Sequence, residues 1–177
     1  MQNTRFTKLE RVLMCLVVVL ILKVTFSVVL GYRSYFPPDF RSDFLRGRQP
    51  YFYGPYSAAF YAHIVAGPTT LILGLVLISE AFRNRFPTWH RSLGKAQAAI
   101  VLLVLVPSGL WMARYAETGR IATIGFSSLG IVTGTCVLMG WRAAVRRQFI
   151  EHRRWMMRCF LLLCSAVVLR VIGGLER

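Results

Sequence analysis

Val12-Leu13-Met14-Cys15-Leu16-Val17-Val18-Val19-Leu20-Ile21-Leu22-Lys23-Val24-Thr25-Phe26-Ser27-Val28-Val29-Leu30-Gly31 is a run of twenty residues with a single charge, Lys23. A helix rising about 1.5 Å per residue over such a run covers the roughly 30 Å of a bilayer's hydrocarbon core. Four more apolar runs follow, at about Tyr56 to Ser79, Ala96 to Ala113, Ile121 to Trp141 and Cys159 to Gly173. A chain of 177 residues, 55% hydrophobic and 16% charged, has no water-soluble way to bury five of them. The expected fold is all-α: a polytopic membrane protein with five transmembrane helices, of which helices two to five form an antiparallel four-helix bundle. The divisions that follow are 1–31, an anchor helix; 32–55, an outer aromatic and proline-rich loop; and 56–177, the four-helix membrane domain.

The net charge of +15 sits in short segments between the apolar runs, which argues for a membrane surface and against nucleic acid. Arg5, Lys8 and Arg11 precede the first run. Arg83, Arg85, Arg91 and Lys95 lie between the second and third, and Arg142, Arg146, Arg147, Arg153, Arg154 and Arg158 between the fourth and fifth. All three segments fall on one side of the membrane. The positive-inside rule makes that side the cytoplasm, with the N-terminus inside and the C-terminus outside. The opposite side carries Arg33, Arg41, Arg46, Arg48, Arg114 and Arg120. The first run is too long for a cleavable signal, and no small-residue cleavage site follows it before Gly31, so it is read as a retained anchor.

The segment 32–55 is dense in aromatic and turn-forming residues, with Tyr35-Phe36-Pro37-Pro38-Asp39-Phe40 and Pro50-Tyr51-Phe52-Tyr53-Gly54-Pro55. An interfacial skirt at headgroup level is the ordinary reading. A lid over a cavity between the helices is the alternative. The cysteines Cys15, Cys136, Cys159 and Cys164 all fall in apolar runs without C-x-x-C spacing, and read as packing residues. Gly130-x-x-x-Gly134 in the fourth run permits close helix approach. Pro68 and Pro107 each remove a backbone donor at mid-membrane and invite a bend.

Ionisable groups at depth carry the functional signal, because they are expensive in hydrocarbon. Lys23, His63 and Arg170 all fall in the outer half of their helices, and in the expected topology they meet at one level. Two cations and an imidazole suit an anionic group such as a carboxylate, a phosphate or a haem propionate, although Lys23 and Arg170 are also able to snorkel to the headgroups. On the other side His90 and His152 stand in matching surroundings, each followed by arginine and close to tryptophan: Trp89-His90-Arg91 and His152-Arg153-Arg154-Trp155. Two imidazoles at equal depth on facing helices are what a bis-imidazole haem b requires, with Arg91, Arg153 and Arg154 at hand for propionates. The alternative is a pair of interfacial anchors that bind anionic lipid. His63 has no histidine at its own level. Met112 is the one soft ligand there.

The combination of His63-(x)3-Gly67, Gly74, Arg83-(x)3-Pro87-x-Trp89-His90-Arg91-x-Leu93-Gly94-Lys95, Gly125-Phe126, Thr135, Arg142 and His152-Arg153-Arg154-Trp155-Met156-Met157-Arg158 resembles the bacterial membrane proteins grouped as domain of unknown function 2306. The resemblance covers about Tyr56 to Arg170. It implies a four-helix membrane core with a preceding helix, in a bacterial inner membrane, and little about activity. A looser similarity to dihaem b-type cytochromes rests on helix number and helix-end histidines; the four paired intramembrane histidines of those proteins are absent.

Other chemistry has few candidates. Only seven acidic residues are present, none paired within a span, and a Ser/His/Asp triad needs Asp39 or Asp43 to reach His63 from the loop. No phosphate-cradling glycine loop occurs. The leading expectation is a membrane redox or cofactor-binding protein that holds one haem or quinone through its histidines and works with a membrane redox partner or a second copy of itself. The competing expectation is a non-catalytic accessory protein or small transporter whose His/Arg clusters bind lipid or a partner.

Overall fold

The computed structural model describes residues 8–42, 44–116 and 119–175; Arg5 and Asp43, which entered the reading above, lie outside the described residues. Helix α1 (Lys8–Gly31) runs into a 3-10 turn at Tyr32–Ser34. A looped segment containing the short α2 (Gln49–Phe52) leads to α3 (Pro55–Ile78), and α4 (Glu80–Arg85) turns the chain into α5 (Pro87–Ile100). A π turn at Val101–Leu105 joins α5 to α6 (Val106–Ala113), and α7 (Arg120–Val145), α8 (Phe149–Leu163) and α9 (Ser165–Leu175) complete the chain. No strand occurs among the described residues. Five stretches, Arg11–Ser34, Pro55–Ile78, Pro87–Ala113, Arg120–Val145 and Phe149–Ile172, are long and apolar enough to cross a membrane. The protein is an all-α polytopic membrane protein, as the apolar runs predict.

The third and fifth spans begin at Pro87 and Phe149, well before the apolar runs that announce them. Their first turns are amphipathic, so helix continues while hydropathy falls. Proline suits the first helical position because its missing N–H is an orphan there in any case, and Glu151 sits in the first turn of α8, where the helix dipole favours an anion. His90 and His152 are therefore each the fourth residue of a helix, not residues in front of one.

Neither mid-membrane proline breaks its span. Helix α3 passes through Pro68 without interruption, and the π turn precedes Pro107, with the Val106 N–H donating to the Val101 carbonyl. Such a widened turn re-routes the bonds that a proline would leave open.

Packing is closest where side chains are smallest. Helix α7 lies along α6 through Gly130 and Gly134, whose missing Cβ atoms would rest 3.5 Å from Leu110 and 3.7 Å from Val106. It meets α8 through Gly140, where a Cβ would come 2.9 Å from Met156 Cε and 3.4 Å from Trp155 Cβ. Gly140→Leu is expected to destabilise the fold by about 2 kcal/mol through overpacking, read as a lower midpoint of thermal unfolding in detergent. An unchanged midpoint would show that α7 and α8 can separate freely there.

Three buried clusters hold the bundle. Val101, Leu105, Cys136, Val137 and Cys159 fill the middle, so two of the cysteines are packing residues. Tyr35, Leu45, Phe52, Tyr56, Phe60 and Ile64 form an aromatic cluster at one end, and Ile21, Leu71 and Val167 join α1, α3 and α9. The remaining surface of α1 is exposed apolar residues such as Leu16, Val19 and Phe26. That surface suits contact with lipid.

Candidate functional site

The five spans line a half-open cavity of about 390 Å³ in the half of the bundle nearest the aromatic cluster. Its walls are apolar: Val24 and Val28 of α1, Ile64 and Leu71 of α3, Leu105 and Val106 of the π turn and α6, Leu129 of α7, and Leu163 and Val167 from α8 and α9. Convergent polar groups are few. They are His63, Arg48, Arg170, Thr25, Thr133, Ser165 and the tyrosines Tyr32, Tyr35, Tyr56 and Tyr115. A cavity of this size with mostly apolar walls and a handful of polar groups has the ordinary form of a small-ligand site.

The segment 32–55 closes one end of this cavity. Tyr35 packs edge-on to Phe60 at 5.2 Å, Phe44 stacks on Phe60 at 5.5 Å, and Tyr51 stacks on Tyr115 at 4.8 Å. Tyr61 donates its hydroxyl to the Tyr35 carbonyl at 2.8 Å. Buried Arg48 is the clasp. Its Nε donates to the Phe44 carbonyl at 2.6 Å, and its Nη1 protons are shared among the Tyr115 carbonyl at 3.0 Å and the hydroxyls of Tyr56 at 3.2 Å and Tyr51 at 3.3 Å. Of the two readings of these aromatics, the lid describes what they do: Tyr32, Tyr35, Phe44 and Arg48 all line the cavity.

His63 stands on the cavity wall with one nitrogen already committed. Its Nδ1 lies 3.1 Å from Ser108 Oγ, while that oxygen lies 2.6 Å from the Val104 carbonyl and 3.1 Å from the Leu105 carbonyl. A carbonyl only accepts, so the single hydroxyl proton of Ser108 goes to the backbone and its oxygen accepts from Nδ1–H. In the neutral ring Nε2 then carries the lone pair. The ring fits because residue 109 is glycine: a Cβ there would lie 3.0 Å from His63 Cε1 and 3.4 Å from Nδ1. Pro107-Ser108-Gly109 thus supplies a widened turn, an acceptor and a space in three consecutive residues.

The other singled-out residues divide between the two ends. Arg170 lines the cavity; Lys23 is exposed on α1 and lies outside the lining, although Val24 and Thr25 beside it are part of the wall. Met112 lines the same cavity as His63. His90 and His152 belong to the arginine-rich end. His152 donates Nδ1–H to the Gly140 carbonyl at 2.9 Å, and His90 Nδ1 is buried without a hydrogen-bond partner. Arg153 pairs with Glu80 at 2.6 Å and Arg154 with Glu151 at 2.6 Å, both exposed. Exposed Arg91 donates Nε–H to the Pro87 carbonyl at 3.4 Å. No group of three or more metal-ligating side chains occurs among the described residues.

Four residues escaped sequence reading. Ser108 and Gly109 were visible only as companions of a proline, and Arg48 only as one loop arginine among several. Gln97, outside the cavity lining, is the fourth: it is buried between spans, with Nε2 donating to the Thr70 carbonyl at 2.8 Å and Oε1 unpartnered.

Fold and cavity together define a five-span helical membrane protein with a half-open, mostly apolar site toward one end. Residues 60–175, well over half of the chain, match the family described as Predicted membrane protein (DUF2306), and the chain belongs to that family. No curated protein matches the chain, and no solved structure does.

Proposed function

We propose that the protein is a membrane redox component that binds one quinol-type ligand in the lidded cavity, with His63 Nε2 accepting a hydrogen bond from a ring hydroxyl. The observation that carries this reading is the committed Nδ1 of His63, which leaves an acceptor on the wall of an apolar cavity. A quinol brings an O–H to that acceptor and apolar surface to the walls. Met112, which lines the same cavity, favours a second reading, in which His63 and Met112 would hold a haem iron and the haem would supply one-electron chemistry. We further place the arginine-rich end in the cytoplasm and the C-terminus outside, in a bacterial inner membrane, because the basic segments share one end. The Trp/His/Arg collars there attract anionic lipid.

Thermal unfolding of the purified protein with added decylubiquinol tests the first reading. Ligand at 100 times its Kd is expected to stabilise the folded state by about 2.7 kcal/mol, with saturation at one ligand per chain. The haem reading instead expects a Soret band in protein made with ample haem. Protein with neither a quinol-dependent midpoint nor a Soret band would overturn both.

A further inference from the structure

Two walls of the cavity never meet. Helices α7 and α9 both line it, yet among the described residues no Cα of α7 comes within 8 Å of one of α9. The cause lies in the break of the last span. Helix α8 packs along α7 until it ends at Leu163; the chain turns at Cys164, and α9 departs to pack on α1, where Val167 is buried with Ile21 and Leu71. A slot is left between α7 and α9. Phe126 on one edge and Ala166 and Arg170 on the other line the cavity and are exposed. Both edges lie within stretches long and apolar enough to cross a membrane, a placement that would turn the slot toward lipid.

We infer that this slot is a lateral doorway: the ligand enters from the bilayer between α7 and α9, and its apolar tail lies there while its head is held at His63. The inference rests on the quinol reading for the head and adds the class of ligand, a tail-bearing molecule dissolved in the membrane. Closure of the opposite route supports it. The aromatic lid and the Arg48 clasp cover the end of the cavity that would face water, and Phe126 and Ala166 on the slot edges offer a tail apolar contact like that of the lipid it leaves, with Arg170 the one charged edge residue.

Photolabelling in liposomes tests the doorway without assuming the head. An alkyl diazirine with no headgroup, confined to the lipid phase, is expected to label Thr133, which is buried on the cavity wall, as well as the lipid-facing Leu138. Ala166→Trp should reduce labelling of Thr133 by about tenfold and leave Leu138 unchanged, whereas Phe126→Ala, which widens the slot from the other edge, should raise it. Unchanged labelling at Leu138 also reports that each variant is folded and inserted. Absence of label at Thr133 in the wild type, or labelling indifferent to both substitutions, would overturn the doorway. Decylubiquinol added as a competitor separates the two claims: label at Thr133 that quinol fails to displace leaves the doorway standing and removes the quinol reading.

Discussion

Arg48→Met is expected to lower the stability of the folded protein by about 3 kcal/mol. Arg48 is 6% exposed, and its guanidinium serves two backbone carbonyls and two tyrosine hydroxyls. Methionine fills part of the volume and serves none of them. Two carbonyls then lose their donor: that of Phe44 in the lid segment, and that of Tyr115 beyond α6, 67 residues along the sequence from Arg48. Arg48→Lys keeps the charge but not the fork, so it should recover only part of the loss. Thermal unfolding in detergent reads the total, and protease cleavage within 32–55 reads whether the lid detaches first. A variant as stable as wild type, with its lid equally protected, would show that the aromatic stacking alone holds the segment.

His63→Ala is expected to weaken quinol binding by about tenfold to a hundredfold, the equivalent of ~1.4 to 2.7 kcal/mol for a buried hydrogen bond and the void left beside it. Stability should change less. The ring is one wall among many, and the Ser108 hydroxyl retains its backbone acceptors. His63→Gln keeps a polar group at the position, though it does not reproduce an acceptor fixed by Nδ1, and is expected to fall between the two. Calorimetric titration in lipid nanodiscs checks the order wild type, glutamine, alanine. Equal affinities across the three would move the site away from His63.

The five spans were legible because each carries its signal in the composition of its own residues. What the sequence concealed was direction around the helix axis and pairing between distant segments. Lys23 and Thr25 illustrate the first. Two residues along a helix differ by roughly 200° around the axis, so Thr25 is buried toward the cavity while Lys23 faces outward. No periodicity in so uniformly apolar a helix distinguishes those directions. Arg170, with the same expected depth, falls on the cavity side. Arg48 illustrates the second: a lid and a skirt have the same composition, and the carbonyl that decides between them belongs to Tyr115. The starts of α5 and α8 were hidden for a third reason. Hydropathy locates the hydrocarbon core, whereas the helix continues into the interface wherever its backbone bonds can, and it carries His90 and His152 with it.

The central claim is that His63 presents an acceptor, not a donor, to the ligand, and the affinity ratio of decylubiquinol to decylubiquinone tests it most directly. With the ring neutral, wild-type protein is expected to bind the quinol about tenfold more tightly than the quinone, because only the quinol supplies an O–H to Nε2, and His63→Ala should bring the ratio close to one. Equal affinity for the two forms in the wild type, or a preference that survives the loss of His63, would contradict the account.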